Sequence, residues 1–369
     1  MQSPGPENRT GLEKCLYVAS RLYRAGISLR NKGFEQGVFP RRRLPCPVVA
    51  VGNLAAGGSG KTPMTLYLAE VFAAEGRRPV VISRGYGGKK ERQGCVVSDG
   101  ARVLAGPEAA GDEPYMMALQ LKKIPVLVGA DRYRAGCLAV HSFCPDVILL
   151  DDAFQHRRLH RDVNLLLVDA ATGLGNGHLL PRGILREPPE AAGRADAVIL
   201  TRSEQVEPEA LAALGRSFPA VPVFRSGSRS FVYKVVKKGA PPPSEPLQPG
   251  NSFSFGFLKG RRVLGFSGIA RNTDFMRFIG ETSGKVLDFL SFPDHYRYRR
   301  EELEAIARRA KTLSADYILT TQKDYARIPE AFEFPADLAV VGVSMDFGEN
   351  TEAFSDFLRR MLHQAEAAD

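Results

Sequence analysis

Residues 48–62 read Val-Val-Ala-Val-Gly-Asn-Leu-Ala-Ala-Gly-Gly-Ser-Gly-Lys-Thr. An apolar strand enters a glycine-rich turn that closes on Gly-Lys-Thr. The stretch Ala55, Ala56, Gly57, Gly58, Ser59, Gly60, Lys61, Thr62 has the spacing small-x-x-x-x-Gly-Lys-Thr, which predicts a phosphate-binding loop. Small residues let the backbone curl so that successive N–H groups face an anion. The helix that follows adds its positive end. In such a loop Lys61 supplies a point charge for the outer phosphates, and the Thr62 hydroxyl is placed to ligate Mg²⁺. The alternative is a glycine-rich bend with no ligand, against which strand, loop, Lys-Thr and helix occur together in the right order.

Downstream, Val147-Ile-Leu-Leu-Asp151-Asp152 is an apolar strand ending in two carboxylates. Behind a phosphate loop that is where Mg²⁺ is held, directly or through water; the alternative is a strand-end turn with solvated carboxylates. Gly111-Asp112-Glu113-Pro114 opens a helix. Asp112 is either its N-cap or a group that faces bound phosphates and accepts a proton, and spacing does not decide. In Ser83-Arg84-Gly85-Tyr86-Gly87-Gly88, Arg84 sits on a glycine turn where it can meet a phosphate or serve the turn alone. His295, in Phe292-Pro-Asp-His295-Tyr-Arg-Tyr298, is a candidate site residue or a satisfied surface histidine. Thr320-Thr-Gln-Lys323-Asp324 follows a strand, where Lys323 and Asp324 can contact a nucleotide base or ribose, or simply form a turn.

These residues must be positioned by alternating strands and helices. Apolar runs predict strands at 48–52, 79–83, 124–128, 146–150, 163–168 and 196–200, with helices over 61–75, 112–121 and 132–142. A β/α series of this kind implies an α/β fold with a mostly parallel sheet and helices on both faces. Ligands in such folds sit beyond the carboxyl ends of the strands, where the loop, Arg84, Asp151, Asp152 and Asp169 all fall. Lys234 to Pro249 is Pro-rich and reads as a linker, with 231–236 and 252–257 able to pair beside it. A second β/α series follows, with strands near 262–268, 285–289, 316–320 and 338–343 and helices near 272–280, 300–313 and 351–366. The expected division is an amphipathic segment 1–45, a nucleotide-binding domain 46–225, a two-stranded linker 226–258 and a smaller α/β domain 259–369.

The chain has 369 residues and a formal net charge of +9, which suits an anionic partner. Five Cys without a close pair indicate neither a disulfide scaffold nor a C-x-x-C metal site, and point to a reducing compartment. No apolar run is long enough to span a bilayer, and the polar, Pro-containing start is not a secretory signal. Residues 1–45 carry nine Lys/Arg against three Glu, and Leu12, Leu16, Leu22, Ile27 and Leu29 recur at roughly helical spacing over 12–39. A basic amphipathic helix of this kind either lies on an anionic lipid surface or packs on its own domain.

Together the motifs closely resemble the tetraacyldisaccharide 4'-kinase family of Gram-negative bacteria. The resemblance rests on Val51 to Pro63, Ser83 to Gly87, Val128-Gly-Ala-Asp-Arg132, Leu150-Asp-Asp-Ala-Phe-Gln-His-Arg-Arg-Leu159, Gly175-Asn-Gly-His-Leu-Leu-Pro181, Leu185-Arg-Glu-Pro188, Phe292 to His295 and Thr321 to Asp324, in order over about residues 12–330. It implies transfer of the ATP γ-phosphoryl group, with Mg²⁺, to the 4'-hydroxyl of an acylated glucosamine disaccharide 1-phosphate in lipid A biosynthesis. It implies a peripheral protein at the cytoplasmic face of the inner membrane, with an anionic lipid surface as partner. No nucleic acid partner and a monomer are expected. It implies a phosphate-loop α/β domain joined by a two-stranded element to a smaller one. By the same resemblance Asp112 is the general base, helped by His295 across an interdomain cleft, while Asp151 and Asp152 handle metal and phosphate. Where the family usually has Gly after the paired Asp, this chain has Ala153, tolerable if its φ is negative. Two rivals remain. The first is a P-loop GTPase or ATPase acting as a switch or assembly factor; a guanine-binding motif would be Asn/Thr-Lys-x-Asp, and Thr321-Gln-Lys-Asp324 does not fit it. A non-catalytic phosphate or lipid binder would have no need of Lys61, Thr62, Asp151 and Asp152 together.

Overall fold

The computed structural model describes residues 11–239, 255–329 and 331–367. The chain forms two compact units, each assembled from separated segments: residues 1–83, 131–228 and 345–369 make the first, and 84–130 with 229–344 the second. From the amino end the first unit contributes α1 (Gly11–Glu35), β1 (Val48–Asn53), α2 (Lys61–Ala74) and β2 (Pro79–Ser83). The second then takes β3 (Cys95–Ser98), α3 (Pro107–Ala110), α4 (Asp112–Gln120) and β4 (Val126–Val128). Back in the first lie α5 (Arg132–Phe143), β5 (Val147–Leu150), β6 (Val163–Asp169), β7 (Ala197–Thr201) and α6 (Pro208–Gly215). The long strand β8 (Val223–Val236) passes into the second unit, which adds β9 (Val263–Ser267), α7 (Asn272–Ser283), β10 (Val286–Ser291), α8 (Arg300–Thr312), β11 (Tyr317–Thr321) and α9 (Gln322–Tyr325). Strand β12 (Asp337–Asp346) returns to the first unit, where α10 (Thr351–Ala367) ends the chain.

In the first unit the strands run β2-β5-β1-β6-β7-β8, every neighbouring pair parallel. Ala50 is level with Leu150 on one side and Asn164 on the other. All six residues of β1 are buried, as its unbroken apolar sequence requires in a sheet covered on both faces. Gly52 is there because a Cβ would stand 2.6 Å from the backbone nitrogen of Phe154. In the second unit β10, β9, β11 and β12 form a parallel set, and β3 pairs antiparallel with β4. Its interior is aromatic: Phe266, Tyr298 and Phe334 pack with Leu303 and Ile318.

Two expectations are corrected. The strand beside β8 in the sheet is β12, and 255–257 do not form the expected strand. Residues 252–254 lie outside the described residues, and Phe255–Leu258 form a short helical turn whose Phe255, Phe257 and Leu258 pack into an apolar cluster with Phe275 and Leu319. The linear division also differs from the observed one, since 84–130 group with 229–344 and 345–369 with the first unit.

Candidate functional site

The first unit holds the phosphate loop between β1 and α2. Gly60 takes φ 82° as the helix N-cap, so Lys61 and Thr62 occupy the first helical positions, where the free N–H groups and dipole favour an anion. The loop is pinned from beside: the Thr201 hydroxyl donates to Ser59 O at 3.1 Å, and Arg202 donates to Gly58 O at 2.7 Å. Arg202 is itself fixed by an ion pair to Asp169. The Lys61 ammonium lies 3.4 Å from Gly57 O and 3.8 Å from an Asp152 oxygen.

Asp151 and Asp152 part company at the end of β5. Asp151 is buried, and its carboxylate accepts hydrogen bonds from the Thr65 and Ser83 hydroxyls, each at 3.2 Å. Asp152 adopts φ 45° and receives Arg186 Nη1 on its two oxygens at 3.2 and 3.1 Å. The positive φ falls on Asp152, a residue type that tolerates it, and not on Ala153, so the alanine is accommodated. Thr62, Asp151 and Asp152 offer oxygen donors only, which fits a hard cation such as Mg²⁺ and not zinc. Among the described residues no group of three or more His, Cys, Asp or Glu side chains forms a metal cluster. A Mg²⁺ ion here would draw the rest of its shell from water and phosphate, as it commonly does.

The second unit gathers the other candidates around a residue the sequence did not single out. Gly111, at φ 90°, turns the chain between α3 and α4; a Cβ there would meet Tyr86 O at 2.7 Å. Gly111 is the N-cap of α4, so Asp112 is the first helical residue and the capping alternative is excluded by position. Its carboxylate is instead held by Arg327 Nε at 2.8 Å. The same guanidinium reaches His295 Nδ1 at 3.3 Å, Asp324 Oδ1 at 3.4 Å and Gly268 O at 3.1 Å. Arginine only donates, so in this contact Nδ1 is the acceptor. His295 has φ 59° and a half-exposed side chain, while Arg327 is 2% and Asp112 18% exposed. Asp112 and His295 both belong to the second unit and are joined through Arg327, which corrects the expectation of a pair across an interdomain cleft with the imidazole orienting the carboxylate directly.

Asp324 is also corrected. Its buried carboxylate accepts from Thr321 Oγ1 (2.6 Å), Tyr298 OH (2.9 Å), Gly268 N (2.9 Å) and Arg327, which commits it to the interior and not to a nucleotide. Burial pushes its pKa up, against those donors. Lys323 is paired with Glu113, and Arg84 with Glu91 at 2.6 Å. The signal for Arg327 was faint: an arginine three residues after Asp324, one helical turn on. Arg186 lay inside a motif that had no assigned role.

Helix α1 belongs to the first unit. One face is docked: Ser20 Oγ donates to Leu179 O at 2.9 Å, Tyr23 OH to Arg186 O at 3.1 Å, and Asn31 Nδ2 to the buried Glu187 at 3.0 Å. Leu12, Val18, Leu22 and Leu29 remain exposed, Leu22 at 70% and Leu29 at 75%. Leu16 and Ile27, expected at a lipid surface, are half-buried. No described helix is long and apolar enough to cross a membrane.

A family model described as tetraacyldisaccharide-1-P 4'-kinase matches residues 12–363. A tetraacyldisaccharide 4'-kinase of Desulfatibacillum aliphaticivorans is 39% identical over 365 residues, covering 98% of this chain and 96% of that protein. One from Syntrophus aciditrophicus is 40% identical over 331 residues, 89% of this chain and 87% of that protein. Among solved structures, LpxK from Aquifex aeolicus, crystallised in complex with ATP, superposes with a TM-score of 0.73 at 32% identity, covering 95% of this chain and 99% of that one.

Proposed function

Since the chain belongs to the tetraacyldisaccharide-1-P 4'-kinase family, we propose that its first unit holds ATP and that Asp112 of its second unit takes the proton from the 4'-hydroxyl of a tetraacyldisaccharide 1-phosphate. The observation that carries this reading is the clamp on Asp112, a partly exposed carboxylate fixed at 2.8 Å by a buried arginine that also contacts His295. A sugar hydroxyl is a poor nucleophile, and a fixed carboxylate within hydrogen-bond reach accepts its proton as the new P–O bond forms. Lys61 and the loop N–H groups offset the charge on the β- and γ-phosphates as the bond to the leaving diphosphate breaks. Arg186 holds Asp152, and the Thr65 and Ser83 hydroxyls hold Asp151, in the places from which, with Thr62, they would bind Mg²⁺. When bound, that ion would offset negative charge on the phosphates.

The substrate's acyl chains resist leaving the bilayer, at about 0.8 kcal/mol per exposed CH₂. The reading therefore places the protein peripherally on the inner membrane's cytoplasmic face, with the exposed apolar side of α1 in the headgroup boundary. The exposure of Val18, Leu22 and Leu29, on the side of α1 turned from Ser20 and Asn31, supports it.

The test is transfer of labelled γ-phosphate from Mg·ATP to detergent-dispersed tetraacyldisaccharide 1-phosphate. Labelled lipid is expected from the wild type. Asp112→Asn, which keeps size and loses the basic oxygen, should lower kcat about 10²-fold or more with ATP affinity unchanged. Near wild-type turnover by Asp112→Asn would remove the base from this reading.

A further inference from the structure

The first unit contains a second basic site, at the end of its sheet away from the phosphate loop. The loop leaves the carboxyl end of β1, whereas Arg43 precedes β1, Asp162 precedes β6 and Asp196 precedes β7, three mutually parallel strands. A cavity of about 480 Å³ opens there, lined by Arg41, Arg43, Arg157, Arg161 and Arg194. Three carboxylates share the lining, Glu35, Asp162 and Asp196, so guanidinium charge exceeds carboxylate charge.

Those carboxylates are already engaged. Asp162 accepts from Val48 N at 2.8 Å, and its other oxygen lies 3.2 Å from His160 Nε2 and 3.8 Å from Arg43 Nη1. Asp196 accepts Asn164 N at 2.7 Å, and Glu35 pairs with Arg157 at 3.4 Å. Arg194 gives Nη2 to Glu187, a carboxylate it shares with Arg30 and Asn31. Its guanidinium lies over the Phe154 ring at 4.9 Å, and among the described residues its buried Nε has no hydrogen-bond partner. Arg161 gives Nη1 to the carbonyls of Ala153 and Phe154, at 3.1 and 2.9 Å. Burial, with Arg194 and Arg157 close by, pushes Arg161 down to about 10. Buried like charges and an orphaned N–H are expensive unless an anion completes them. Guanidinium forks match the oxygens of phosphate and carboxylate alike, but a phosphate presents more acceptor oxygens and so can meet several forks at once.

We propose that this cavity binds a phosphate group, borne by a lipid headgroup or free in solution, separately from the nucleotide loop. The cavity lies at the carboxyl end of α1, whose exposed stripe carries Leu29, so a headgroup is within the chemistry of the site.

The experiment keeps the nucleotide loop filled with saturating Mg·ADP and holds ionic strength constant. Inorganic phosphate is titrated by calorimetry in one arm, and short-chain phosphatidylglycerol, dissolved as monomers, in the other, with phosphatidylcholine of the same chain length as control. Saturable binding of inorganic phosphate identifies a free-phosphate site. Binding of phosphatidylglycerol without phosphate or phosphatidylcholine binding identifies a headgroup site. In either case Arg194→Gln should weaken binding about tenfold or more, as loss of a charge-assisted hydrogen bond does. The double variant Arg41→Gln/Arg43→Gln, altered at the rim, keeps the test valid should Arg194→Gln fail to fold. Absence of binding in both arms, or equal affinity in wild type and the variants, overturns the proposal. Mg·ADP affinity is expected to be the same throughout.

Discussion

At the scale of the residue, Arg327 is the group whose removal should reach furthest. One guanidinium holds Asp112, contacts His295 and meets Asp324, with 2% of its side chain exposed. Arg327→Met leaves two carboxylates without their cation, one of them buried, and should destabilise the protein by about 3 kcal/mol or more. Arg327→Lys keeps the charge but cannot reach several partners from one planar fork. It should lower kcat while leaving the ATP dissociation constant unchanged, which separates positioning from folding; a lysine variant with wild-type kcat would deny Arg327 that role. Lys61 and Thr62 stand out in the sequence because a phosphate loop has a fixed local spacing, and Asp151 and Asp152 because they close an apolar strand. Arg327 does not, because its partner Asp112 lies 215 positions away and no local pattern links them. A third residue, His156, should be visible in acid. Burial, with the Arg132 cation nearby, pushes it down to about 4. The folded protein keeps this ring neutral where the unfolded chain protonates it at about 6.5. Stability should therefore fall as pH drops below about 6.5 and level off near 4, by about 3 kcal/mol from this group. Urea melts across that range should be flatter for His156→Gln; an unchanged slope would show that other groups set the acid limit.

At the scale of the element, α1 shows what periodicity settles and what it leaves open. Its helical spacing was readable, but spacing alone could not say whether the apolar side met lipid or protein. The structure divides the helix: Ser20, Asn31 and Phe34 are buried, whereas Val18, Leu22 and Leu29 face out. Deleting the helix would be a poor probe of membrane docking, because Glu187 would lose both Arg30 and Asn31. Substituting Val18, Leu22 and Leu29 by serine removes only exposed apolar surface. This triple variant should keep its melting temperature and ATP affinity but sediment less with anionic vesicles, and work more slowly on vesicle-borne substrate. Undiminished sedimentation would show that the basic residues alone bind the surface. The β8–β12 neighbourhood was misread for a related reason. Both 252–257 and 337–346 have strand-like sequences, and only the rest of the fold determines which lies beside β8.

At the scale of the whole molecule, the division into two units is where sequence order misleads most. A linear reading cuts the chain near 258 and expects 259–369 to fold by itself. In the structure that segment lacks part of its own unit and carries part of the other. Lys323 needs Glu113, Arg327 needs Asp112, and Gln322 bonds Gln120 at 2.9 Å, all supplied by residues 84–130. Gly342 lies where a Cβ would stand 2.5 Å from the Phe231 ring, so β12 is fitted to β8. Helix α10, by contrast, buries Phe354 and Phe357 against Phe224 and Phe347 in the first unit. A fragment of 259–369 should thus expose those phenylalanines and leave Arg327 in want of Asp112. It should bind hydrophobic dye and melt without cooperativity. A chain joining 84–130 through a flexible linker to 229–344 restores the Asp112–Arg327–His295 cluster and omits α10, and it should unfold in one cooperative urea transition. Cooperative melting of 259–369 together with failure of the joined chain would mean that the units follow the order of the sequence after all.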